Sequence, residues 1–125
     1  MAAHVLIVDD NADNRKLLVW LLEDHGMSSE EADSAEMALD MLQDRSFDAI
    51  LMDISLPGMS GSEATMLLRR QPAYATLPII AVTAHAIKGE AEKIMNSGVS
   101  ALVTKPVDED QLMDVLTKLL KAKDS

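Results

Sequence analysis

The sequence predicts an α/β domain built as a doubly wound, five-stranded parallel sheet in (βα)5 order, with helices on both faces. Three observations carry that expectation. Short segments such as His4 to Val8 and Ala49 to Met52 are continuously aliphatic rather than alternating, which is how strands covered on both faces read. Between the strands lie segments with apolar residues at helical spacing, opened by capping residues or closed by glycine. The chain has 125 residues, 48% hydrophobic and 26% charged, enough for one compact core and too apolar for intrinsic disorder. Strands alternating with helices of this length need crossover connections, and right-handed crossovers place helices on both sheet faces.

The first strand, His4 to Val8, ends in Asp9 and Asp10. Asn11 can cap the helix that follows, Leu17, Leu18, Leu21 and Leu22 recur at helical spacing, and Gly26 supplies a left-handed stop. Leu18, Leu21 and Leu22 are expected to face the sheet, with Trp20 projecting to another side beside Leu17. Met27 to Ala32 reads as a weak, polar strand at or near an edge, and Ala35 to Asp44 as the second helix. Phe47 to Asp53 is the clearest central strand. Leu56-Pro57-Gly58 turns the chain, and Ser62 is expected to start a third helix that stops before Pro72. Pro78 to Thr83 is the fourth strand, a helix around Ile87 to Asn96 ends at Gly98, and Ala101 to Thr104 is the fifth strand. The last helix runs from Asp108 to roughly Lys121, with Asp110 near its start and Lys118 and Lys121 near its end, as the macrodipole favours.

Composition narrows the function. Lys and Arg number 11 against 21 Asp and Glu, a formal net charge of −10, which opposes binding to nucleic acid or anionic membranes and favours a cation or a basic partner surface. The count of cysteines is 0, which excludes disulfides, thiolate catalysis and Cys-ligated metal centres. His4, His25 and His85 are scattered, giving little support for a histidine metal cluster. No apolar run approaches the roughly 20 residues of a membrane span and no signal-peptide pattern is present, so the cytoplasm is the expected compartment. With no linker or composition shift, residues 1–125 read as a single domain without an output domain.

Doubly wound sheets bind ligands outside the carboxyl ends of their strands, near the topological switch point. The residues at those ends are Asp9 and Asp10 after the first strand, Asp53 after the third, Thr83 after the fourth and Lys105 after the fifth. Carboxylates gathered at one edge repel each other, the more so where the local dielectric is low, and need positive charge nearby. Mg²⁺ suits a few carboxylates, a backbone carbonyl and several waters, and Lys105 adds a second positive charge. A cation, an ammonium and a hydroxyl around one carboxylate make a template for phosphoryl transfer, with Asp53 as nucleophile and Thr83 hydrogen-bonded to the bound group. Each residue also has an ordinary structural reading: Asp9 and Asp10 as helix-start acids, Asp53 as a solvated loop residue, Thr83 as a strand-end threonine, Lys105 as a turn lysine. The joint placement carries the weight.

Over essentially the whole chain, the pattern resembles the response-regulator receiver family of two-component signalling, which has a flavodoxin-like fold. The resemblance rests on Ile7-Val8-Asp9-Asp10-Asn11, on Leu51 to Gly61, on Pro78 to Ala84 and on Lys105-Pro106. It implies that Asp53 is the phosphoacceptor, that Asp10 and Asp53 bind Mg²⁺ directly with the Ser55 backbone carbonyl, and that Asp9 acts largely through water. It also implies that Thr83, followed by Ala84, and Lys105 contact the phosphoryl group, and that the peptide before Pro106 is cis. Ser55 and His85 stand where the family flanks the path of the hydrolytic water, and so would tune dephosphorylation. Leu17 and Trp20 lie on the helix that in the family docks on a sensor histidine kinase or a histidine phosphotransfer protein. Such a chain promotes its own phosphorylation and dephosphorylation but is a signalling protein rather than an enzyme, a monomer or weak dimer acting by protein contact. It departs from the family at Leu102, three positions before the lysine, where an aromatic residue is usual; the threonine-to-aromatic switch is therefore in question.

Other functions are possible on this fold. A cofactor binder would cradle a phosphate in its first loop with small hydroxyl and glycine residues, and Asp9-Asp10 would repel that phosphate. An aspartate-nucleophile phosphatase would want acids separated by one residue, whereas these two are adjacent. A phosphorylation-independent interaction module is the serious alternative, because Leu102 departs from the switch pattern while the acceptor residues are intact.

Overall fold

A parallel strand that is apolar on both sides must be covered on both sides, and the computed structural model of the chain, which describes residues 3–84 and 89–124, is arranged that way. In chain order its elements are β1 (His4–Val8), α1 (Ala12–Asp24), β2 (Ser28–Ala32), α2 (Ala35–Asp44), β3 (Ala49–Asp53), α3 (Gly61–Arg69), a 3-10 turn (Pro72–Tyr74), β4 (Ile79–Thr83), α4 (Glu90–Asn96), β5 (Ala101–Thr104) and α5 (Glu109–Asp124). The strands pair in parallel in the order β2-β1-β3-β4-β5. Strand order reverses at β1, so the crevice between the carboxyl ends of β1 and β3 is the topological switch point.

Alternating strand residues feed two cores. Leu6, Val8, Ile50, Met52, Ile79 and Ala81 pack with Ala35, Ala38 and Leu42 of α2, Ala64 and Leu68 of α3 and Ile94 of α4. On the opposite face, Val5, Ile7, Leu51, Ile80, Val82 and Val103 meet Leu18 and Leu22 of α1 and Leu112, Met113 and Leu116 of α5. Burying a leucine as completely as Leu22 or Leu112 contributes about 1.5–3 kcal/mol. Leu21, expected to face the sheet, is only half-buried at the margin of this second core.

Local chemistry sets the boundaries. Asn11 caps α1 by accepting the Asn14 N–H at 3.0 Å, and Gly26 takes φ 76° just beyond the helix end. β2 lies at the sheet edge, as its polar sequence predicts, but begins at Ser28. β3 starts at Ala49 rather than Phe47. The Asp48 carboxylate accepts the His4 N–H at 2.8 Å, while the buried Phe47 ring stacks on His4 with centroids 5.2 Å apart, so side-chain contacts occupy this end of the strand. Pro78, lacking an N–H, precedes β4 and only accepts a bond, from the Ile50 N–H. The cap of α3 is Ser60, not Ser62: Ser60 Oγ accepts the Glu63 N–H at 3.1 Å and Glu63 accepts the Ser60 N–H at 3.3 Å, a reciprocal capping box. α5 continues to Asp124, so Lys118 lies well inside it, paired with Asp114 at 3.1 Å. Ile87, the expected start of the fourth helix, lies outside the described residues; within them α4 begins at Glu90. Among the described residues no helix is long and apolar enough to cross a membrane.

Candidate functional site

Asp9 follows β1, and its neighbours fix both its main chain and its side chain. Its N–H donates to the Ala32 carbonyl at 3.1 Å. Oδ1 accepts the Asn11 N–H at 2.9 Å and Oδ2 accepts from Lys105 Nζ at 3.2 Å. Asp53, the last residue of β3, repeats that arrangement: Oδ1 accepts the Ser55 N–H at 3.0 Å and Oδ2 accepts from Lys105 Nζ at 3.3 Å. Both aspartates are buried, whereas Asp10 is exposed and reaches the same cluster from the surface. One carboxylate oxygen from each of Asp9, Asp10 and Asp53 lies within 4.8 Å of the others.

The fourth and fifth strands complete the edge. Thr83, buried, ends β4 opposite Thr104 of β5, and its carbonyl accepts the Lys105 N–H at 2.8 Å. Ala84 follows, exposed. The Lys105–Pro106 peptide is cis. Burial pushes the Asp53 carboxyl above the ordinary aspartate value and the Asp9 charge adds to this, against the Ser55 N–H and the Lys105 ammonium. Burial also opposes the charged form of Lys105, but the Asp53 and Asp9 charges and hydrogen bonds outweigh it, and the Lys105 pKa is raised.

Two further residues shape the site without having been singled out from the sequence for that part. Gly61, at the start of α3, sits against the end of β3 so closely that a Cβ there would lie 2.2 Å from the Asp53 carbonyl oxygen. Its N–H donates to the Ile54 carbonyl at 3.1 Å, folding the β3–α3 loop back on the strand. Arg15, one turn into α1, donates from Nη1 to the Asp9 carbonyl at 2.8 Å and from Nε to Glu31 at 3.1 Å. The sign available for the first was its place at the end of the Leu51 to Gly61 motif; the second depends on a contact between β2 and α1 that spacing does not reveal.

Beside the acids, a groove of about 170 Å³ runs between α1 and the β5–α5 loop, lined by Leu17, Leu21, Pro106 and Val107, with Asp9 and Lys105 at one end. Trp20 stands outside the groove, 58% exposed, with Lys16 Nζ 5.7 Å from its ring centroid. Leu102 is half-buried and packs against the core shared by α2, α3 and α4. Ser55 is exposed beside Asp53, and His85 lies outside the described residues.

The chain matches the family profile described as "Response regulator receiver domain" over residues 5–117. It is 41% identical over 118 residues to the signal transduction histidine-protein kinase BarA of Escherichia coli K12, a match covering 94% of this chain but only 13% of that kinase. It is 38% identical over 120 residues to the polar-differentiation response regulator DivK of Brucella ovis, covering 96% of this chain and 98% of DivK. Among solved structures, the receiver domain of the sensor histidine kinase PA1611 from Pseudomonas aeruginosa, described with a magnesium ion coordinated in its active site cleft, aligns with a TM-score of 0.89 at 29% identity over 97% of this chain and 99% of that one. The parallel sheet, the acidic cluster able to hold a metal, and the profile match lead to one conclusion: the chain belongs to the response regulator receiver domains, the phosphoacceptor family of two-component signalling.

Proposed function

We propose that Asp53 takes a phosphoryl group from the phosphohistidine of a sensor histidine kinase or a histidine phosphotransfer protein, with Mg²⁺ bound beside it, and that the chain signals by protein contact. The observation that carries this reading is the shared ammonium: Lys105 Nζ stands 3.2 Å from Asp9 and 3.3 Å from Asp53, one positive charge beside the carboxylate that would react.

The donor set fits Mg²⁺: carboxylate oxygens within 4.8 Å of one another, hard ligands partly open to water. Asp10, Asp53 and the Ser55 carbonyl would hold the ion, and Asp9 would act through water. When bound, it neutralises phosphoryl oxygens as charge develops on them. Asp53 supplies the nucleophilic oxygen: an O–P bond forms as the N–P bond to histidine breaks, and that electron pair leaves on the imidazole. The Ser55 N–H keeps the carboxylate turned to the site, Lys105 moves its ammonium to the incoming oxygens, and Thr83 and Ala84 bind them. Ser55, exposed beside Asp53, and His85, two residues after Thr83 in the sequence, set the lifetime of the acyl phosphate. The chain thus promotes its own phosphorylation and dephosphorylation without turning over a separate substrate.

The groove bordered by Leu17 supports docking of a kinase or phosphotransfer helix on α1, with Trp20 as an outer anchor. Incubation with acetyl phosphate and Mg²⁺ followed by intact mass spectrometry tests the chemistry. One added phosphoryl group on the wild type and none on Asp53→Asn is expected; an unlabelled wild type would favour a phosphorylation-independent interaction module.

A further inference from the structure

We infer that Arg15 is a positioning residue for the metal-binding acids, fixing the plane of the Asp9–Asp10 peptide and so the direction in which Asp10 presents its carboxylate. The inference rests on the proposed role of Asp10 in holding Mg²⁺.

Asp9 and Asp53 are buried and held at both carboxylate oxygens, one by a backbone N–H and one by Lys105. Asp10 is exposed, and its position is set through its backbone. The peptide unit is planar, so pinning the Asp9 carbonyl oxygen orients the whole group, including the Asp10 nitrogen and Cα. That carbonyl lies beyond the last β1 residue and before the Asn11 cap of α1, where neither ladder nor helix supplies its partner. Arg15 does, from Nη1 at 2.8 Å, a charge-assisted bond.

The guanidinium is itself held. Its Nε donates to Glu31 of β2 at 3.1 Å, and the rigid fork makes the two bonds interdependent. The Arg15 side chain is 18% exposed against 47% for Glu31, so the carbonyl side of the bridge is the sheltered one. One residue therefore ties β2, α1 and the acid pair together.

Positioning and plain electrostatics predict opposite signs. A positive side chain near the cluster repels a cation, so removing its charge alone would tighten Mg²⁺ binding; losing the peptide's anchor would weaken it. Calorimetric titration with MgCl2 of the wild type, Arg15→Ala, Arg15→Lys and Asp10→Ala separates the two. Arg15→Ala is expected to raise the Mg²⁺ dissociation constant about ten-fold, the scale of lost outer-shell contacts, and to shift the Asp10 and Asn11 amide resonances of the metal-free protein. Arg15→Lys, which keeps the charge and can reach the carbonyl without the fork, is expected to give a smaller rise in the same direction, and it carries the test should Arg15→Ala not fold. If the wild type binds Mg²⁺ and Asp10→Ala does not, an unchanged or tighter dissociation constant in the folded Arg15 variants overturns the inference alone, including where only the melting temperature falls. If the wild type fails to bind, or Asp10→Ala binds as well as it does, the metal-site reading falls and takes the inference with it.

Discussion

Adding one methyl group at Gly61 should strain the acceptor strand from behind. The new Cβ would sit 2.2 Å from the Asp53 carbonyl oxygen, 2.9 Å from Met52 Cγ and 3.0 Å from the Asp53 carbonyl carbon. Ordinary carbon–oxygen contacts begin near ~3.3 Å, so α3 and the end of β3 must separate by about 1 Å. The obstacle is backbone, which cannot swing aside as a flexible side chain would. Inserting a methyl group into a packed site costs about 1–3 kcal/mol, and the better helix propensity of alanine returns at most about 1 kcal/mol. With a 2.2 Å approach to rigid backbone the cost falls in the upper part of that range, so a net loss of about 1–2 kcal/mol follows, equivalent to a melting temperature lower by roughly 3–10 °C for a domain of this size. Gly26→Ala is the control: nothing lies within 4 Å of its Cβ, but φ is +76°, and an L-residue there costs about 1–2 kcal/mol without touching the site. Urea unfolding should report both losses with unchanged m-values, whereas only Gly61→Ala should also slow acetyl phosphate labelling of Asp53. Wild-type stability and labelling in Gly61→Ala would refute the close-contact argument.

Three other outcomes are expected. The folded-state pKa of Asp53 is raised above the ordinary aspartate value, chiefly by burial, so the stability this carboxyl contributes is present below the ordinary value and lost as pH rises through the elevated one; in metal-free buffer, Asp53→Asn should gain melting temperature over the wild type as pH rises from acid to neutral, and a pH-independent difference would contradict this. Trp20→Ala should slow phosphotransfer from a histidine phosphotransfer protein more than labelling by acetyl phosphate, and equal slowing would point to a damaged fold. With beryllofluoride as a phosphoryl mimic, backbone NMR shifts should concentrate around Thr83 and His85, because Leu102 lacks the ring and polar tip that exchange positions in the usual switch; large concerted shifts through Ala101 to Thr104 and α5 would defeat that reasoning.

Whatever depends on local pattern was readable before any coordinates. Continuous aliphatic runs placed β1, β3, β4 and β5, a polar run marked β2 as the edge strand, and because parallel strands end at one edge, the same reading gathered Asp9, Asp10, Asp53, Thr83 and Lys105 at one rim. Boundaries failed where two local signals competed. Ser60 and Ser62 are both plausible caps, and only the reciprocal bond with Glu63 decides between them. Phe47 is apolar and buried, yet stacking on His4 places it before the strand. Individual bonds between distant residues were not legible: Lys105 was expected near the acids, but its bridging of Asp9, 96 residues away, and Asp53 was not, and the bond from Arg15 to Asp9 depends on how α1 settles against β2. No periodicity encodes either.

The sheet separates the molecule into two packing problems that share only its strands. Side chains filling the α1/α5 side do not meet those filling the α2/α3/α4 side, so substitutions in the two layers should combine additively. The acids belong to neither layer, being carried on backbone at the rim where the strands stop. Exposed residues of α1 such as Leu17 and Trp20 can therefore change without disturbing the opposite core or the Asp53 carboxylate. The exceptions are residues that touch both rim and layer, such as Gly61 and Arg15, where sequence change in a helix is felt directly by the chemistry.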